Sequence, residues 1–453
     1  MPHPSANEIP PHLLMWQRVR AYAVPPSMIE TATSRRAVGD WAGACAAARV
    51  DVDLDLRAVR DRHGTDTATR LRADLRRLAP DLLRWHMPRI APDGRLRPGL
   101  TLSLARYPGR PGSTVHLVVR TPPAWADAGQ RMSLALWDGS GGGASAHHPH
   151  PHPDRRFRLD LHRHLWDAGR SGELAGRCGD DPGPWAVTRW AAEAEHLLRA
   201  EGRPRGAFTV RLGPRNRAVL ELVAPDDSHA PACRPLPGTL PPQQVAALPV
   251  LPEAAARVLP DRELLRAGLV PAGRLHPLVA AALEGPGAAP ATGPVPASGD
   301  PHRVECRGEA HRIALRDGVL TAVDHDPEQL RREELLVALG GPPLPCLRAI
   351  DAVHRDPEAL PAVRERLAHG DVTGALAVVE GLLGPRAVLR EGPLRDALES
   401  AAARRIDHGL FRSGLLAEHP AAGARRPRLD RRTPQAIRRK RVNRSRPRSG
   451  LYD

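Results

Sequence analysis

Aromatic residues are scarce: three Phe, three Tyr and eight Trp in 453 residues. A chain of this length can bury a sizeable core, which must then be built from Leu, Val and Ala. Lysine is nearly missing; of 66 basic residues only Lys440 is not arginine. With Ala, Gly and Pro plentiful, this is the residue set of GC-rich codons, so part of the arginine excess reflects coding bias. No run of about 18 apolar residues occurs, which excludes a transmembrane helix. Met1 to Pro11 is polar and Pro-rich, without the cationic start and apolar stretch of a secretory signal. The five cysteines, Cys45, Cys178, Cys233, Cys306 and Cys346, are widely spaced and form no C-x-x-C. That argues against a disulfide framework and a zinc ribbon, and a reducing, cytoplasmic setting is expected. No G-x-S-x-G, H-E-x-x-H, P-loop or G-x-G-x-x-G fingerprint appears, so no catalytic residue and no cofactor is assigned.

What is present is loop-forming residues and charge. The 49 prolines and 40 glycines make much of the chain turn or linker. The net charge is +15 and it is concentrated. Residues 425–453 hold 12 of the 66 basic residues against Asp430 and Asp453, leaving 54 basic and 49 acidic residues elsewhere. The body is nearly balanced and the tail owns the field.

The pattern predicts an α+β, multi-module chain. Residues 1–98 read as a helical region, with Ser27-Met-Ile-Glu30 fitting a capping box. Residues 99–230 read as β-rich, with hairpins at Thr101–Arg120 and Phe208–Val223. Residues 231–301 form a Pro/Ala-rich bridge whose end, 285–301, reads as linker. Residues 302–350 read as three strands and a helix, with Asp317-Gly318 as a tight turn and Asp326-Pro327 as a helix start. Residues 351–424 are helical, and 425–453 form a basic, disordered tail.

One pattern occurs twice. Ala37-Val-Gly39-Asp40-Trp-Ala-Gly43-Ala44-Cys-Ala46 and Ala368-His-Gly370-Asp371-Val-Thr-Gly374-Ala375-Leu-Ala377 share A-x-G-D-x-x-G-A-x-A. Each predicts a helical hairpin in which glycine takes a positive φ and aspartate caps the next helix. The copies are too far apart to stack as a solenoid. The second copy, continuing through Leu383-Gly384, resembles the helix pair of an ankyrin repeat, which places Gly-Asp or Gly-His before a helix ending in Leu-Leu. It lacks Thr-Pro-Leu-His at its start, an Asp-rich finger and a following repeat. The resemblance covers residues 366–384 and implies a protein-binding module. The first copy is equally similar to a tetratricopeptide hairpin.

Several side-chain groups have metal or acid–base chemistry. Asp51, Asp53 and Asp55 alternate with apolar residues, but Leu56 stands where a calcium loop needs glycine, so a solvated strand face is expected. His147, His148, His150 and His152 lie in a Gly/Pro loop without second-shell support. Asp160, His162 and His164 share one side if residues 157–165 are extended, and would then suit a metal-dependent enzyme. Cys306 with His302 and His311 on neighbouring strands is a further partial set. No second cysteine stands close in sequence, so a buried structural cysteine is expected. Arg57 to Leu78 is a possible DNA-binding helix-turn-helix, but Arg60 occupies a position that must be small, and a solvated bundle helix is expected. The tail residues Arg438, Arg439, Lys440, Arg441, Arg444, Arg446 and Arg448 can neutralise phosphates without any fold.

These features favour a non-enzymatic interaction or scaffold protein with an unidentified protein partner. The alternatives are a nucleic-acid-associated protein working through the tail, and a metal-dependent enzyme using Asp160, His162 and His164.

Overall fold

Proline rather than serine sets the start of the second helix. In the computed structural model helix Pro26–Ala37 has Pro25 as its N-cap, and Ser27 lies inside the first turn without a cap bond. Proline suits the first helical position because its φ is already set and its missing N–H is not needed there. The capping box expected at Ser27-Glu30 is therefore not formed. The structure describes residues 9–109, 114–139, 148–203, 205–214, 216–223, 230–284 and 302–415. The 285–301 linker and the basic tail lie outside them.

The chain divides into two units, Met1–Ala291 with Leu410–Asp453, and Thr292–Gly409. Helices lie towards both ends and several small sheets lie in the middle, an α+β, multi-module architecture. The strands, in chain order, are β1 (Val50–Asp53), β2 (Arg89–Ile90), β3 (Arg95–Leu96), β4 (Thr101–Pro108), β5 (Thr114–Arg120), β6 (Met132–Trp137), β7 (Gly206–Arg211), β8 (Arg217–Val223), β9 (Ala232–Pro235), β10 (His302–Cys306), β11 (Glu309–Arg316) and β12 (Val319–Ala322).

In the first unit the main sheet runs β1-β6-β5-β4. Strand β1 pairs in parallel with β6, Val50 opposite Met132. The N-terminal region, read as helical, thus supplies an edge strand to the β-rich middle. One core runs from Leu13 through Leu71, Trp85, Leu117 and Trp166 to Val279, across residue 98 without a break. A second core packs Phe208, Val210 and Leu222 against Leu197, Leu198, Leu251 and Ala255. The Pro-rich stretch read as a bridge contributes Leu251 to the second core and Leu264 and Val279 to the first. It also supplies Asp261, which accepts from Arg20 (2.8 and 2.5 Å) and from Trp85 Nε1 (2.9 Å) in full burial. Helix Thr65–Arg77 buries Ala68, Leu71 and Leu75 and exposes Arg70, Arg72 and Arg76, as a solvated bundle helix does.

In the second unit β10-β11-β12 form an antiparallel sheet. Both turns have two central residues with positive φ: Arg307 and Gly308 (55° and 86°), then Asp317 and Gly318 (51° and 79°). That geometry matches strand twist and favours Asp-Gly. Helix Pro327–Ala338 follows, with Asp326 accepting from Glu328 N. Helices Pro345–Arg355, Leu360–Ala368, Val372–Leu383 and Pro393–Arg412 complete the described chain.

The two copies of the repeated pattern adopt one geometry. Gly39 and Gly370 have φ 78° and 80°. Asp40 accepts from Gly43 N at 2.8 Å, and Asp371 from Gly374 N at 3.2 Å. A Cβ on either Gly43 or Gly374 would lie 2.1 Å from the capping carboxylate, so the second glycine of the pattern is required by the cap. An arginine five residues before each aspartate pairs with it, Arg35 at 3.2 Å and Arg366 at 2.9 Å.

Candidate metal centre

Strand pairing decides which polar side chains meet in the second unit. Val304 stands opposite His311, and Ile313 opposite Ala322. With side chains alternating, Val304, Cys306, His311, Ile313 and Ala322 share one face of the sheet. Helix Pro345–Arg355 contributes Cys346 and Ile350 to the cluster on that face, which buries Cys306, Ile313 and Ala322. The helix begins with Pro345, so Cys346 falls in its first turn. His325 sits in the connection after β12, immediately before the Asp326 cap.

Cys306, His325 and Cys346 converge. Their sulfur and imidazole nitrogen atoms all lie within 4.8 Å of one another, and all three residues are buried. His325 Nε2 is buried without a hydrogen-bond partner, and so is Nδ1 of His311. The two rings stack at 4.2 Å with 15° between their planes. Burial pushes the Cys346 thiol up to about 11, helped by the hydrogen bond and charge of Cys306. Burial likewise lowers the His325 pKa, as do the neighbouring His311 and Arg307, while Asp324 and a hydrogen bond with Gln329 oppose the shift. Two carboxylates of the module are engaged: Asp324 accepts from Arg312 Nη2 at 2.8 Å, and Glu333 from Arg307 at 2.6 Å. What remains at the centre is two thiols and an imidazole, a donor set for a thiophilic cation.

The cluster was only partly legible in the sequence. Cys306 is fully buried as expected, and His311 flanks the cluster. Cys346 stands 40 residues from Cys306, and His325 lies in a loop. The signal that points to them is positional: both stand at helix starts, beside Asp326-Pro327 and Pro345 respectively.

The other candidate groups resolve differently. Asp160, His162 and His164 lose their common side because residues 157–165 are not extended. Successive tight turns run through them, with Leu161 N donating to Arg158 O, His162 N to Leu159 O and Leu165 N to His162 O. Asp160 is held by Arg158 Nε and Nη2, both at 2.8 Å, and by Arg106 at 3.2 Å. His162 Nε2 lies 3.2 Å from Glu193, which Arg177 also grips at 2.9 and 2.5 Å. His164 is a separate buried ring, 5.7 Å edge-on from His162, its pKa pushed well down by burial and by His162. Asp51 pairs with Arg131, and Asp55 caps helix Leu56–His63. His148 Nε2 lies 2.9 Å from Thr121 O, and the His152 ring packs edge-on to Trp137. The tail residues Arg438, Arg439, Lys440, Arg441, Arg444, Arg446 and Arg448 lie outside the described residues. Among the described residues the Cys306–His325–Cys346 group is the one set with metal-ligand convergence.

Helix Pro327–Ala338, which follows His325, has no buried residue. Its first half is tethered by Leu330 against the Cys306 cluster and by the Glu333–Arg307 pair. Its end is apolar and open: Leu335 is 65% exposed, Leu336 48%, Val337 36%, and Leu339 just beyond it 86%. No family model, curated protein or solved structure matches this chain. No helix among the described residues is long and apolar enough to cross a membrane.

Proposed function

We propose that the chain is a non-enzymatic interaction protein that docks a protein partner through the apolar end of helix Pro327–Ala338. The observation that supports this reading is the run Leu335-Leu-Val-Ala-Leu339, five consecutive apolar positions facing solvent. Single exposed leucines are ordinary, whereas a contiguous apolar patch marks an interaction surface. Leu335 with Leu339, and Leu336 with Leu339, stand at i,i+4 and i,i+3 and share one side, the spacing of anchors that a partner's groove takes, while Val337 lies on another side. Two capped helical hairpins in the same chain suit a scaffold.

The test is a double variant, Leu335→Glu with Leu339→Glu. Both side chains are exposed, so the fold should lose no more than about 0.5 kcal/mol. Full-length wild type and variant are immobilised and challenged with an extract of the source cells. Proteins retained by the wild type and lost by the variant are expected. Equal retention by both, or no retained protein, contradicts the reading.

A further inference from the structure

We propose that Cys306, His325 and Cys346 bind a single zinc ion, with His311 as the fourth ligand. Three observations converge on this. Three ligand atoms of the required kinds already lie within 4.8 Å of one another. Around a tetrahedral zinc, with Zn–S near 2.3 Å and Zn–N near 2.0–2.1 Å, such atoms stand roughly 3.5–3.8 Å apart. Side-chain rotation alone closes that difference. Cys306 on the sheet and Cys346 on the helix packed against it are held by regular elements, and His325 is presented by the short connection between β12 and the next helix. Finally, His325 Nε2 and His311 Nδ1 are buried and unpartnered on two stacked rings. Buried nitrogens are normally satisfied, so both call for a partner; His311 lies outside the three-residue convergence, and its ring must turn out of its stack on His325 to bring its lone pair to the same ion.

The donor chemistry selects the metal class. Two thiolates and two imidazoles in a tetrahedral set favour zinc over oxygen-seeking calcium or magnesium. Two carboxylates of the module, Asp324 and Glu333, are held by Arg312 and Arg307. Charge also balances. Binding displaces one proton from each thiol, so Zn2+ with two thiolates and two neutral imidazoles leaves a neutral buried centre. Such a centre avoids the desolvation cost of an uncompensated charge.

The ion closes the segment between His325 and Cys346, which contains helix Pro327–Ala338 and its exposed apolar end. Zinc therefore pins the two ends of the segment that carries that helix, His325 just before it and Cys346 eight residues beyond it, whether or not the helix docks a partner. The inference does not rest on the docking reading, and the two fail independently.

The experiment uses the full chain, purified from reducing cells without a histidine tag. Elemental analysis is expected to find one zinc per chain after dialysis. Replacement by cobalt(II) should give thiolate-to-cobalt charge-transfer bands and the intense visible bands of a tetrahedral site. Cys346→His is the conservative ligand swap: it should retain one cobalt and lose about half of the charge-transfer intensity. His311→Ala should weaken zinc affinity by about tenfold or more. Cys178→Ser should change none of these readouts. A cobalt spectrum without thiolate bands, zinc well below one equivalent after reconstitution, or a Cys306–Cys346 disulfide in the freshly isolated chain would each overturn the proposal. Unchanged affinity in His311→Ala would remove His311 as the fourth ligand.

Discussion

Two buried histidine-containing groups in this protein meet opposite fates. In the first unit His162 lies against Glu193, which Arg177 grips, and nearby Asp160 is taken by Arg158 and Arg106. In the second unit Cys306, His325 and Cys346 face one another with no arginine donating to them, while Arg307 and Arg312 serve Glu333 and Asp324. The difference teaches how an arginine-rich chain sorts its polar groups. Carboxylates are consumed by guanidinium, which reaches them bidentately and stays charged. The two thiols and the imidazole of the second-unit cluster have no such partner and remain available to a metal. Proximity of Asp and His in the sequence is therefore a poor guide here, and the chemistry of the leftover donors is a better one.

This contrast can be broken from either side. The largest effect is expected in the second unit. Removing its metal with a strong chelator should lower the thermal midpoint of that unit by about 10 °C or more, since structural zinc sites contribute folding free energy directly. The transition of the first unit should not move. Calorimetry of the full chain checks both; a shift confined to the first unit contradicts the assignment.

Next is Asp160→Asn. It leaves the Arg158 guanidinium, 5% exposed, with one carboxylate fewer, and breaking a buried pair costs about 3–5 kcal/mol. Glu201, which also accepts from Arg158 at 2.6 Å, should hold the loss near the lower bound. Denaturant unfolding should show the destabilisation, and metal content should stay unchanged. A loss of metal in this variant would revive an Asp160 site.

A smaller, pH-dependent effect follows from His86, half-buried, and His116, buried, in the first unit. Burial lowers His86 to about 3 and His116 to about 4, whereas an unfolded histidine titrates near 6.5. The unfolded chain thus binds more protons across that window. Stability is full above about pH 6.5 and falls as the pH drops towards 4. Urea titrations of the first-unit transition at pH 7 and pH 5 should show the lower stability at pH 5. Greater stability at pH 5 would mean that these rings are not held neutral.

The smallest difference separates the two matching hairpins. Loss of an aspartate cap costs about 1 kcal/mol. Asp40 has a side chain 36% exposed and Asp371 one 6% exposed. Asp371→Ala should therefore cost more than Asp40→Ala, because it also removes a carboxylate partner of Arg366 in a drier setting. Equal losses would show that exposure does not matter at this cap.

Local chemistry was legible in the sequence and long-range pairing was not. The Asp317-Gly318 turn, the Asp326 cap and both Gly-Asp hairpins depend on φ preferences and on side-chain reach within three residues, so residue types alone announce them. The expected strands of the Thr101–Arg120 hairpin also form, β-prone runs either side of a Pro/Gly turn, although both are buried on their two faces. Pairing of β1 with β6 joins residues 82 apart, and no local preference encodes it. The same holds for Cys306 and Cys346, brought together by a helix packing on a sheet. Residues 157–165 mislead in the opposite way: they alternate like a strand, yet their buried side chains are reached through tight turns.

The most direct measurement is X-ray absorption at the zinc edge of the full chain, isolated without a tag. The account predicts two sulfur scatterers near 2.3 Å and two nitrogens near 2.0–2.1 Å. A shell of nitrogen and oxygen alone would place the metal on the histidines and carboxylates of the first unit or on the His147–His152 tract, and would contradict the assignment to Cys306, His325 and Cys346.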